Sequence, residues 1–124
     1  MSNVFTRQKI VGFTIIELLV TIVVIGVLAG IVSISYSSWR INTAKSEVSS
    51  DLNSVSAAME SYRTFNGSYS LTMPTSYVQS PNVTTFLKTA TTTNYCAQAT
   101  STAVPSVVYN ITNTTRTPAA GACP

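Results

Sequence analysis

The chain has 124 residues, enough for one ordinary domain and too few for two separate cores. Charged residues make up only 9% of it, apolar ones 45%, and mean hydropathy is +0.29, a balance that excludes wholesale disorder. The absence of His removes histidine-based triads and most transition-metal sites, and a formal charge of +3 gives no clustered basic surface for strong binding of nucleic acid.

Residues 1–12 read MSNVFTRQKIVG, short, polar and basic, with Arg7 and Lys9. Without them five basic side chains face four acidic ones, close to neutrality. Residues 13–34 read FTIIELLVTIVVIGVLAGIVSI and carry one charge, Glu17. As a helix this stretch spans about 33 Å, enough to cross a hydrocarbon core of about 30 Å. The basic residues ahead of it predict a cytoplasmic N-terminus and an exported C-terminal part. Three readings fit: a secretory signal cut after Ala29, a plain membrane anchor, or an anchor whose carboxylate has a task. A carboxylate at the bilayer centre costs roughly 2.5–3.5 kcal/mol, and near the cytoplasmic end Glu17 escapes part of that by snorkelling. A cut after Gly12 would make Phe13 a free amine four residues ahead of Glu17, on the same face of a helix. In low dielectric the two charges attract strongly where they meet, and the amine of a neighbouring copy serves equally.

The run Gly12-Phe13-Thr14-Ile15-Ile16-Glu17-Leu18-Leu19-Val20 resembles the signature of the type IV pilin and pseudopilin family. Cut site, aromatic residue, glutamate spacing and apolar run coincide, and the likeness covers about the first 35 residues. The resemblance implies that a prepilin peptidase cuts between Gly12 and Phe13 and methylates the Phe13 amine. It also implies that Glu17 registers each incoming subunit against the N-terminus of another. The subunits would then assemble into a helical filament drawn from the membrane, with an assembly ATPase and a platform membrane protein as partners.

Proline is absent ahead of Pro74, so a helix can run on past the membrane. Ile41, Ala44, Val48, Leu52, Val55, Met59 and Tyr62 recur in steps of three and four, an apolar stripe that rests on a core. A helix over 13–64 would be roughly 78 Å long. Gly26 and Gly30 match a small-xxx-small packing face. Family filaments often unwind near this point, but the family's helix-breaking proline is replaced here by Ile34, so close packing is the reading we keep. Tyr36 and Trp39 suit either an interfacial aromatic belt or the core. Asn66-Gly67 should end the helix. The run Tyr62-Arg63-Thr64-Phe65-Asn66-Gly67-Ser68-Tyr69 again resembles the helix end in that family.

Beyond residue 67 the chain is rich in Thr and Ser. Residues 82–89 read as a short helix or a loop. Residues 93–100 and 106–112 read as strands, with Pro105 between them. The tail 113–124 reads as irregular. Cys96 and Cys123 suggest one disulfide formed outside the cytosol, closing a 28-residue loop worth about 3.5 kcal/mol by chain entropy; two free thiols are the alternative. The fold expected is α+β, a long N-terminal helix packed against a small antiparallel sheet. Its divisions are a leader 1–12, a membrane or filament-core helix 13–35, an amphipathic helix 36–65 and a head 66–124.

Catalytic chemistry finds no foothold, with no phosphate loop, no paired carboxylates at useful spacing and no nucleophile beside a base. No cofactor or metal is implied. Some relatives with secretion roles bind calcium through acidic clusters in the head, but no Asp or Glu follows Glu60. Glu47, Asp51 and Glu60 read as solvated charges. Asn-x-Ser/Thr triplets begin at Asn66, Asn82, Asn110 and Asn113. The expectation is a structural pilus subunit, a homopolymer that is a single-pass membrane protein before assembly and extracellular afterwards. The alternatives are a pseudopilin of a secretion or DNA-uptake machine, and a secreted binding domain released after Ala29.

Overall fold

The structure, a computed structural model, describes residues 12–124. Residues 1–11 of the expected leader, with Arg7 and Lys9, lie outside the described residues. The chain divides into two compact units with the boundary between Tyr36 and Ser37. One helix, α1 (Ile15–Asn66), enters both. It begins two residues later than the expected 13–64 and ends two residues later. Its end is set by Gly67, whose φ of 75° suits a residue without Cβ. The Gly67 N–H donates to the Arg63 carbonyl at 2.8 Å, and the Asn66 Nδ2 donates to the Tyr62 carbonyl at 2.9 Å, so two carbonyls of the last turn are satisfied.

Within the second unit the helix lies on a four-stranded antiparallel meander in the order β1-β2-β3-β4. The strands are β1 (Val83–Ala90), β2 (Tyr95–Ser101), β3 (Val108–Thr112) and β4 (Ala119–Ala120). Strand β1 corrects the helix-or-loop reading of 82–89. Its inward positions Val83, Thr85 and Leu87 alternate with exposed Thr84 and Phe86, which is the period of a strand against a core. Lys88 falls in a register shift between Leu87 and Thr89. The other two strands stand where the composition put them, each with slightly moved ends. The tail is not wholly irregular, because Ala119 and Ala120 pair with Asn110 and Tyr109.

The core is the apolar stripe meeting this sheet. Ala44, Val48, Leu52, Val55 and Met59 of the helix gather with Tyr69, Val83, Tyr95, Ala97, Ala99, Val107 and Ile111. The stripe's outer members, Ile41 and Tyr62, are exposed. Tyr69 and Tyr95 meet edge-to-face with ring centroids 4.9 Å apart, the arrangement that ring quadrupoles prefer. The expected disulfide is formed between Cys96 and Cys123, with Cα atoms 6.1 Å apart. The Cys123 N–H also donates to Gln98 Oε1 at 3.2 Å, so the strap is fastened to β2 at two points.

Candidate functional site

The candidate site is the first turn of α1 and the apolar face that follows it. Gly12, Phe13 and Thr14 precede the helix and are exposed, Phe13 at 84%. The Gly12–Phe13 peptide bond therefore lies outside the helical hydrogen-bond ladder. Thr14 caps the helix. Its Oγ1 accepts the Glu17 N–H at 3.3 Å and donates to Glu17 Oε2 at 2.8 Å. Glu17 Oε2 in turn accepts the Thr14 N–H at 3.0 Å. This is a reciprocal capping box of the Thr-x-x-Glu type.

In the uncut chain Phe13 stands ahead of the cap, outside the helix. The carboxylate is held by Thr14. Both of its bonds use Oε2, and Oε1 takes no hydrogen bond among the described residues. Composition and charge reasoning passed over Thr14, although Thr-x-x-Glu ahead of an apolar run is a legible signal.

From Ile15 to Ile34 the helix is apolar but for Glu17, Thr21 and Ser33. The described residues up to Asn42 are all exposed, including Leu18, Leu19, Val23, Ile25, Leu28 and Ile31. By length and composition the segment can cross a membrane. Its few hydroxyls are satisfied by their own helix. Thr21 Oγ1 donates to the Leu18 carbonyl at 2.7 Å, Ser33 Oγ to the Ala29 carbonyl at 2.9 Å and Ser35 Oγ to the Ile31 carbonyl at 3.4 Å. Such back-bonding removes the cost of a bare hydroxyl in an apolar medium. Between Phe13 and Trp39, Glu17 is the one charged residue, beside a shallow groove lined by Phe13, Ile16, Val20 and Thr21.

Gly26 and Gly30 lie in unbroken helix, and a Cβ built on either meets nothing within 4 Å. Among the described residues nothing fills the space they leave. Tyr36 and Trp39 are exposed at 56% and 61%, so neither belongs to the core. No known family model matches the chain, and no curated protein matches its sequence.

Elsewhere the structure corrects the reading of the acidic residues. Asp51 is 5% exposed, and its carboxylate accepts the Ser80 N–H at 3.0 Å, the Ser80 hydroxyl at 2.6 Å and the Tyr77 hydroxyl at 2.9 Å. It lies three residues after Val48 and four before Val55, on the buried face. The segment between helix and sheet therefore binds the helix through an acid. Glu60 is half-buried; it accepts the Tyr69 hydroxyl at 2.7 Å and lies 3.9 Å from Arg116. Glu47 is half-buried on the flank. These are structural contacts of the second unit.

Proposed function

We propose that the chain is a structural subunit of a type IV pilus or a related filament, and not an enzyme. The observation that carries this reading is the junction at the head of α1. An accessible Gly12–Phe13 bond stands one residue ahead of a capped helix whose apolar run bears a single acid, Glu17. In this reading a prepilin peptidase cuts that bond and methylates the Phe13 amine. The subunit waits in the membrane with its head outside. It then packs through residues 13–35 into a helical homopolymer, driven by an assembly ATPase and a platform protein.

Lipid is as apolar as leucine, so hydrophobic burial alone gives subunits little reason to leave it. Packing at Gly26 and Gly30 supplies dispersion contact at short range, and Glu17 supplies a reason for register. Thr14 partly solvates the carboxylate through Oε2, which makes waiting in the membrane tolerable. Oε1 is left to accept the amine of an adjoining subunit, and only one axial placement brings the two together.

The direct test is Glu17→Ala. Membrane insertion and the fold of the head should be unchanged, because among the described residues the Glu17 side chain hydrogen-bonds only to Thr14. Filaments counted by electron microscopy should fall at least tenfold. Filaments of normal number and length from that variant would remove the registry role.

A further inference from the structure

The four Asn-x-Ser/Thr triplets of the head are treated differently by the fold. The Asn66 amide closes the helix end on the Tyr62 carbonyl at 2.9 Å. The Asn110 amide holds the tail, donating to the Gly121 and Ala122 carbonyls, both at 3.0 Å. The Asn113 amide donates to Asn94 Oδ1 at 3.0 Å and to the Thr93 carbonyl at 3.4 Å. The hydroxyls that complete the last two triplets, Thr112 and Thr115, are engaged with each other at 2.9 Å. Asn110 and Asn113 use both amide hydrogens in native bonds, so a substituent there displaces one, and a substituent on Asn66 has to share its nitrogen with the bond that closes the helix end.

Asn82 is the exception. It stands in the turn before β1 with its backbone fixed, its carbonyl accepting the Thr102 N–H at 2.9 Å. Its side chain is exposed and makes no hydrogen bond among the described residues. Val83 is buried at 1% and anchors the triplet. The alternation of a strand then turns Thr84 to the solvent side, where it is exposed. Acceptor amide and partner hydroxyl are thus both free on one accessible strand start.

We propose that Asn82 is the acceptor of an N-linked glycan. The donor class is an oligosaccharide carried on a lipid pyrophosphate. The Asn82 Nδ2 forms a bond to the anomeric carbon, the bond from that carbon to the pyrophosphate oxygen breaks, and the amide gives up one proton. Nothing is oxidised or reduced. Sugar at this position costs the fold no hydrogen bond and adds a hydrated, bulky cover to the start of an edge strand. The inference rests on the export of the head in the proposed function, not on filament assembly.

The test uses the chain purified from its own cells. Cleavage at Arg63 and Lys88 gives a peptide holding both Asn66 and Asn82, and fragment-ion mass spectrometry tells them apart. The expected result is a saccharide mass on Asn82, with Asn66, Asn110 and Asn113 bare. Asn82→Gln and Thr84→Ala should each abolish the added mass, and Asn66→Gln should leave it. A bare Asn82, or sugar on one of the other three, overturns the proposal. N-terminal sequencing of the same sample keeps the two ideas separate. A Phe13 start with bare Asn82 sinks only the glycan, and a glycosylated chain that retains its leader or starts at Gly30 sinks only the filament.

Discussion

Asp51 is a carboxylate taken out of water with no cation at ion-pair distance among the described residues. Three donors from Tyr77 and Ser80 replace its hydration, which is the condition for keeping a charge inside. Asp51→Ala leaves those donors unmet and opens a void. It should cost about 2–4 kcal/mol, whereas Glu47→Ala on the flank should stay within about 0.5 kcal/mol. Urea unfolding of the two variants checks this, and equal midpoints would contradict it. The phenol of Tyr77 is pushed up to about 12, chiefly by burial and then by its bond to Asp51. Burial pushes Tyr69 and Tyr95 up as well. A raised native pKa means that the folded state holds its proton more tightly than the unfolded one. The stability from these phenols is therefore complete below the ordinary value of 10.0 and is lost as the pH climbs toward about 12. Unfolding midpoints followed across that range should fall, and a midpoint flat to its upper end would show that the phenols are not linked to folding.

Among the elements, the strap from Cys96 to Cys123 has the clearest measurable consequence. Replacing both cysteines by Ser should lower stability by about 3.5 kcal/mol while far-ultraviolet circular dichroism retains the helix. A loss below about 1 kcal/mol would mean that Gln98 and Asn110 already hold the tail unaided. The helix and its core face were legible because a stripe in steps of three and four is a local pattern. Ala44, Val48, Leu52, Val55 and Met59 needed no partner to be recognised. Strand β1 was not legible in the same way. Its Thr84 and Lys88 face solvent, and its Val83, Thr85 and Leu87 become an inward row only when β2 lies beside them. Pairing across a turn is information that a run of eight residues does not contain. Asp51 was misread for the opposite reason. Its position on the stripe was visible, but charge was given priority over phase. At the candidate site Glu17 stood out as a lone acid, while Thr14 looked like one more hydroxyl in a chain full of them. The capping box was written in the sequence and needed only the spacing rule to be seen.

At the scale of the whole molecule, the fold is α+β, and its first unit exposes an apolar helix that water does not tolerate. In the proposed function that surface is covered by lipid before assembly and by copies of itself afterwards. The junction at Gly12 and Phe13 is the hinge of that account, since the proposed cut would create its new amine there. In the proposed function the head is the part that stays outside; it is tied by its disulfide and by the acid-held segment that joins helix to sheet. The most direct measurement is N-terminal sequencing with mass spectrometry of the protein recovered from shed or sheared surface material. The account predicts a chain that begins at Phe13, carries one methyl group on that nitrogen and lacks residues 1–12. A working chain that still begins at Met1, or one that begins at Gly30, would contradict it.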